Sequence, residues 1–365
     1  MSTVRSNTYQ DASGGSNAVF SGVASPPNSM GFRNRILNGS MVIDQRNAGA
    51  SVTPGASFGY TVDRWGAAED TDGACTVQQV ADAPTGFVNS LKFTTTTADA
   101  SLGATQFSYI GQFIEGLNVA DLAWGSASAQ TVTMSFWVKS SLTGTFGGAL
   151  TNSAFNRSYP FTYAISAANT WEQKTVTIAG DTSGTWLTTN GVGIRVQFGL
   201  GVGSTYSGTA GSWAGSQFIS ATGATSVIGT LNATWQVTGV QLEAGTVASP
   251  FERVDYGREF DMCRRYYERF TNSGFYATGG AMYANQPRFC VTYYPKRAVP
   301  SFGSSAASTF IVQGNGTNQT PSGFSVAGQD TTNTYFYPTG TTLAVGLSAA
   351  LGNGTTSYLE FPAEL

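Results

Sequence analysis

Histidine is absent from this chain of 365 residues, and only 11% of its side chains are charged, where about a quarter is usual. Without imidazole there is no His-ligated zinc, no Ser-His-Asp or Cys-His nucleophile and no imidazole general base. Cysteine is scarce too. Cys75, Cys263 and Cys290 form no CxxC pair, and their odd number leaves at least one thiol free, so a disulfide framework is not indicated. Basic runs are missing and the net charge is −3, which argues against a phosphate-tracking groove and against nucleic acid as a partner. No run of about 18 apolar residues is present to span a bilayer. The opening MSTVRSNTYQDASGGSNAVF lacks the compact apolar segment that a secretory signal requires.

Glycine and aromatics are plentiful instead: 45 Gly, 23 Phe, 16 Tyr and 7 Trp, with 41% of residues apolar, enough to bury a core. From residue 33 to 254 strand signals recur. QTVTMSFWVKSS (130–141) alternates Val132, Met134, Phe136 and Val138 against Thr131, Thr133, Ser135 and Trp137. TWEQKTVTIAGD and GVGIRVQFGLGVG alternate in the same way. ATWQVTGVQLEAG places Trp235, Val237, Gly239 and Gln241 on one side and Val240 and Leu242 on the other. Short strands parted by Gly, Asn and Ser turns predict a mainly β chain, an antiparallel β-sandwich of jelly-roll type with about four strands per sheet. Trp137 and Trp235, on strands, are expected in its core. Residues 273–365 carry further short signals (PRFCVTYYPKRAVPSF, STFIVQG, NTYFYPTG, TTLAVGLSA, TSYLEFPAEL) and predict a smaller C-terminal β domain. Residues 1–32 form an extended leader, whose isolated Val19, Phe20 and Val23 are suited to lie in another protein's surface.

Between the two β regions, ten of the eighteen residues from 252 to 269 are charged. Tyr256, Phe260, Cys263, Tyr267 and Phe270 follow spacings of 4, 3, 4 and 3, an apolar heptad stripe among solvated charges. The pattern predicts an amphipathic connector helix over 255–272, starting at Asp255 and running to Phe270, with Asp261 placed to pair with Arg265. The stripe can pack on a neighbouring sheet or meet two other copies around an axis, the five residues then forming an oligomer seam.

Two long motifs frame the sandwich: GFRNRILNGSMVIDQRNAGASVTP…YTVDRW (31–65) and GVQLEAGTVASPFERVDYGREFDMCRRYYERF (239–270). Together with the closing PAEL they resemble the shared body of tailed-phage fibre and receptor-binding proteins. The resemblance covers about residues 31–272 and the last few, with Arg264 where Gln is commoner. It implies a carbohydrate-binding-like jelly roll, a helix leading to a variable β tip, and a homotrimer located on the virion and assembled in the host cytoplasm. The leader would dock on other virion proteins, and the protein's partner would be a bacterial surface glycan, with no membrane insertion. It implies no catalysis by itself. A capsid- or neck-attached decoration fibre without a receptor role, and a polysaccharide depolymerase, are the alternatives.

Glycan cleavage needs two carboxylates flanking a cleft. Glu69, Asp70, Asp72, Asp99, Glu115 and Asp121 are available, but nothing in the sequence pairs them, and the expectation is that the chain is not an enzyme. EDTDG is too short for the spaced ligands of a calcium loop, so neither metal nor cofactor is expected. For sugar binding, Trp186, Tyr206 and Trp213 in Gly/Ser-rich loops, and Tyr276, Tyr283, Tyr335 and Tyr337 in the tip, offer aromatic faces. Arg33, Arg35, Asp44, Arg46, Asp63 and Arg64 are charges that have to pair if buried, and a structural salt-bridge network is expected of them rather than a binding site. A truncation starting near Gly31 is expected to fold as an oligomer and fail to enter particles. Normal incorporation of that truncation, scored by blotting purified particles, would place the anchor elsewhere.

Overall fold

Strands form in this chain wherever alternating Val, Ile, Thr and aromatic side chains have one face to bury. The computed structural model describes residues 32–271, 275–283, 286–314, 316–342, 348–353 and 357–365. Met1–Arg33 is a unit by itself, almost all of it, with Val19, Phe20 and Val23, outside the described residues; Asn34–Leu365 forms one compact unit. In chain order its first strands are β1 (Gly59–Val62), β2 (Trp65–Asp70), β3 (Ala74–Val80), β4 (Ser90–Thr97) and β5 (Phe107–Glu115). Next come β6 (Val132–Ser140), β7 (Gly144–Thr151), β8 (Ser158–Ile165), β9 (Glu172–Ile178) and β10 (Val192–Val202). Two short strands, β11 (Ser207–Gly208) and β12 (Ser220–Ala221), pair in parallel, and β13 (Thr234–Ala244) follows.

One sheet has six strands in the order β1-β2-β5-β10-β7-β8, the other five in the order β3-β4-β13-β6-β9, all neighbours antiparallel. They share one core. Phe136 of the five-stranded sheet lies 5.1 Å from Phe198 of the six-stranded one, and Trp235 lies 5.3 Å from the same ring. The Trp235 indole N–H donates to the Tyr163 hydroxyl at 3.0 Å, so its polar edge is satisfied at full burial. The sheets are larger than the four strands expected of each because residues 59–80, whose alternation is broken by the turn at Asp63 and Arg64 (φ +68°), add β1, β2 and β3.

Two expectations are corrected along β13 and β6. Strict alternation separated Trp235 and Val237 from Val240 and Leu242, yet all four are buried in the core. The register shifts between Thr238 and Gln241, and Gly239 at φ +61° supplies the bulge that returns Val240 to the inner face. Trp137 is not in the core: it shares the outer face of β6 with Thr133 and Ser135 and is half-buried.

The helix is shorter than its heptad pattern predicts. Helix α1 (Tyr256–Arg264) is capped by the Asp255 carboxylate, which accepts the Gly257 N–H at 2.9 Å. Its last turn tightens where the Tyr266 amide donates to the Cys263 carbonyl three residues back, at 2.9 Å. The chain then enters β14 (Arg269–Thr271) instead of continuing to Phe270. Arg264, not Arg265, pairs with Asp261 (3.3 Å). Arg265 reaches Glu115 of β5 with two hydrogen bonds, 2.7 and 3.0 Å.

Past the helix lie β15 (Phe275–Tyr283), β16 (Gln286–Thr292), β17 (Gly303–Ser304), β18 (Phe310–Gly314), β19 (Thr317–Gln319), β20 (Gly323–Gln329), β21 (Asn333–Thr339), β22 (Ser348–Asn353) and β23 (Tyr358–Glu360). They make a three-stranded sheet, β14-β23-β17, and a seven-stranded one, β19-β18-β22-β15-β16-β21-β20. A second core with Phe289, Phe310, Phe336, Leu351 and Phe361 lies under them. Within TTLAVGLSA, residues 343–347 lie outside the described residues.

Buried charge ties the two cores together. The Arg64 guanidinium, 1% exposed, donates to the Phe113 carbonyl and to Glu364, and lies 3.7 Å from the centre of the Tyr266 ring. Glu364 also accepts from Arg46 at 2.8 Å, and Arg46 stacks on Tyr267 at 3.5 Å. The Ala363 N–H donates to the Tyr266 carbonyl (2.7 Å), and the Phe361 N–H to that of Glu268 (2.9 Å). The early arginines do form structural salt bridges, but with carboxylates outside their own segment: Arg46 and Arg64 with Glu364, and Arg35 with Asp121 at 2.6 Å. Asp44 caps the Asn47 and Gly49 amides.

Asp63 has no ion pair among the described contacts and accepts only from Gln45, at 3.0 and 3.1 Å. Burial pushes its carboxyl up to about 7, against the pull of Arg46 and the Gln45 bonds. Between its unfolded value near 4 and about 7 the folded state holds a proton that the unfolded chain has lost, so stability falls as pH rises through that window. Asp63→Asn removes the ionisable group and keeps an acceptor for Gln45. Its thermal midpoint should gain on the parent from pH 4 to 7 and level off above, whereas a pH-independent difference would contradict the assignment.

Candidate functional site

Loop position does not leave the sandwich tryptophans open. Trp186 is 9% exposed, and its indole N–H donates to Asp181 (3.3 Å) and to the Ser183 carbonyl (3.2 Å). Trp213 donates to the Ala179 carbonyl at 2.8 Å. Trp124, Trp186 and Trp213 meet edge to face, with centroids 4.8 to 5.4 Å apart. Arg157, held by Asp181 through two bonds of 2.7 Å, closes the group. The three indoles pin loops to the core. Tyr206 is half-buried against Phe107 at 5.6 Å, over a small cluster of Ala68, Tyr109 and Ile219.

Among the carboxylates considered for cleavage, several cap turns or balance charge. Glu69 accepts from Thr71, and Asp99 accepts the amides of Asp72 (3.2 Å) and Ser101 (3.1 Å). Burial pushes Glu115 up, but the hydrogen bonds from Arg265 and Tyr266 outweigh it and hold the carboxyl below its ordinary value. Asp70 and Asp72 are exposed. Among the described residues, no group of three or more His, Cys, Asp or Glu side chains gathers to hold a metal.

In the helix, Tyr256 is 63% exposed and stacks on half-buried Phe260, rings 6.3 Å apart and nearly parallel. Cys263 and Tyr267 are covered by this chain itself, Tyr267 donating to Glu360 at 2.6 Å, and Phe270 packs on Phe361 at 5.7 Å. Of the five heptad positions, the first two face outward.

In the tip, Tyr276 commits its hydroxyl to the Ser357 carbonyl (2.6 Å), and the side chain of Tyr283 lies outside the described residues. Tyr335 is different. Strands β15, β16, β20 and β21 carry a groove of about 560 Å³ whose lining includes Gly279, Gly280, Gly328, Arg288, Cys290 and Tyr335. Tyr335 is 47% exposed and stands opposite exposed Cys290 in the β16–β21 register. Charge on the neighbouring Cys290 sulfur, and a hydrogen bond with it, push the Tyr335 phenol up. Arg288 was not singled out by its sequence, although as the one charge between the inward Pro287 and Phe289 of PRFCV it signals an outward position on a strand.

Glycine is required where the strands are close. A Cβ on Gly279 would lie 1.8 Å from the Arg288 carbonyl oxygen, whereas one on Gly328 finds its nearest atom, in the Tyr335 ring, at 4.0 Å.

No protein-family model and no curated protein matches the sequence. Solved structures with a related arrangement include the enzymatically active domain of tailspike protein 4 of bacteriophage CBA120 (TM-score 0.31, 12% identity, 58% of this chain). This chain spans only 21% of that one. Others are the family 11 carbohydrate-binding module of Clostridium thermocellum in complex with a mixed-linked tetrasaccharide (0.29, 12%, covering 56% and 100% of the two chains) and the N-terminal cellulose-binding domain of Cellulomonas fimi β-1,4-glucanase C (0.23, 16%, 50% and 90%). At these values no ligand or activity transfers from them.

Gly279→Ala should force β15 from β16 and cost about 1–3 kcal/mol or more, while Gly328→Ala stays near neutral. Equal melting temperatures for the two variants would contradict the close approach.

Proposed function

We propose that this protein is a non-catalytic attachment protein of a tailed-phage particle, a fibre or fibre-like appendage that holds a bacterial surface glycan. The observation that carries this reading is the tip groove. It joins a half-exposed tyrosine ring, a guanidinium and three glycines on one sheet. An aromatic face takes pyranose C–H edges and a guanidinium takes ring hydroxyls, while glycines leave the backbone open to close approach. None of the described lining residues is an acid, so they offer no carboxylate pair for cleavage.

The wider reading includes a homotrimer and a docked leader. Tyr256 and Phe260 leave an apolar stripe on the helix that a second copy would cover, and residues 1–32 would engage other virion proteins. Light scattering should give three times the chain mass at micromolar concentration; a monomer would remove the oligomer from the account.

Calorimetry with polysaccharide purified from the host surface tests the groove. Tyr335→Ala and Arg288→Ala should each weaken binding about tenfold, roughly the loss of one stacking or charge-assisted contact, with unchanged melting temperature. Binding that survives both substitutions would remove the groove from the account. New reducing ends released from the polysaccharide by the wild-type chain would overturn the non-catalytic reading.

A further inference from the structure

Two arginines are buried among the described residues, and one of them has no carboxylate. Arg64 pairs with Glu364, whereas Arg195, 8% exposed, forms no ion pair among the described residues. Arg195 stands in β10 between Phe113 of β5 and Thr151 of β7, on the face turned away from the core that holds Ile194 and Val196. Its Nη1 donates to the Asn152 carbonyl and its Nε is buried without a partner. Its Nη2 makes no hydrogen bond among the described residues and, unlike Nε, is not shut off from solvent.

Two phenyl rings lie against this guanidinium, Phe155 with its centre 3.8 Å from the central carbon and Phe113 at 5.0 Å. Phe155 is held there at φ +56°, a left-handed conformation that a bulky side chain rarely takes. Asn152 pins the turn that carries it: its carbonyl accepts the Phe155 N–H at 3.4 Å, and its side-chain oxygen accepts the amides of Asn156 (3.1 Å) and Arg157 (3.2 Å). Burial pushes the guanidinium down to about 10, opposed by the phenols of Tyr109 and Tyr60 and by no carboxylate, so it is still a cation at neutral pH. A buried cation without a counter-charge is a state that folded chains avoid, and here backbone strain is spent on enclosing it. The missing charge has to come from outside the chain.

We propose that Arg195, with Phe113 and Phe155 beside it, is a binding site for a carboxylate. Nη2 is the donor left to receive it, in a charge-assisted hydrogen bond strengthened by the surrounding rings. One positive charge is balanced by one negative charge. A doubly charged tetrahedral anion brings an excess charge to a desolvated place and asks for more donors than this one offers. A flat, singly charged carboxylate asks for neither. A free carboxylate and the Asp or Glu side chain of another protein present the same group. The site lies on the sandwich and depends neither on the groove in the tip nor on its ligand.

The test is saturation-transfer NMR and thermal unfolding of the intact chain with sodium acetate, with the α-amide of N-acetylglutamic acid, and with sodium sulfate and phosphate, all at the ionic strength of a sodium chloride control. Acetate or the blocked glutamate should bind saturably and raise the melting temperature above that in chloride. Binding of acetate assigns the site to free carboxylates, and binding of the blocked glutamate alone assigns it to a side chain of another protein. Arg195→Met should weaken the binding about tenfold or more. Phe155→Gly relieves the left-handed backbone and removes the ring, so it should stay folded and bind more weakly; it carries the test if Arg195→Met does not fold. The proposal is overturned if neither carboxylate binds, or if sulfate or phosphate binds in preference. It is also overturned if binding is unchanged in folded Arg195→Met or in Phe155→Gly.

Discussion

A guanidinium cannot be left unpaired inside a protein, and Arg64 is inside this one with 1% exposure. Its carboxylate partner is Glu364, 300 positions along the chain. The rest of the arrangement follows from that pairing. To deliver Glu364, the segment after β23 must run beside the end of α1, where it takes backbone bonds at Tyr266 and Glu268. The rings of Tyr266 and Tyr267 then lie against Arg64 and Arg46, which is why the helix cannot continue past Arg264 with its heptad stripe facing outward. Lys296, its side chain fully buried, adds a further tie to Glu268 at 2.8 Å.

The three segments that carry the resemblance to phage fibre proteins are also the three that meet here. Asn34 joins the first motif to the second: its amide oxygen accepts the Leu242 N–H at 3.0 Å and its backbone N–H donates to Glu252 at 2.6 Å. Fully buried Asn38 holds the Ile43 and Asp63 carbonyls at 2.8 and 2.9 Å. PAEL supplies Glu364. A polar junction of this kind demands particular side chains at each position, whereas a tip sheet demands only alternation. The tip groove lies on strands that also carry the second core, and Gly279 in its lining is held by the close approach of the Arg288 carbonyl.

The sandwich was legible because its strands alternate over seven or more residues, as in β6 and β10. Alternation fails where the backbone departs from the pleat. The bulge at Gly239 moved Val240 and Leu242 to the same face as Trp235, and the lone glycine inside the strand was the one residue that signalled it. The helix start was legible in Asp255, its cap, but its end was not, because it is set by contacts with Arg64 and Glu364. Site residues were the hardest to read. Loop tryptophans look exposed until Trp124 is seen to pack on Trp186 and Trp213. Tyr335 was among the candidates; Arg288 beside it was not.

The most direct measurement is a double-mutant cycle on Arg64 and Glu364, using Arg64→Met, Glu364→Gln and the pair, followed by denaturant unfolding. If the buried pair joins tip to sandwich, each single change leaves a charge or its partners stranded and costs about 3–5 kcal/mol, and the double change recovers part of that loss. A coupling energy of about 2 kcal/mol or more is the predicted result. Strict additivity of the two single changes would contradict it.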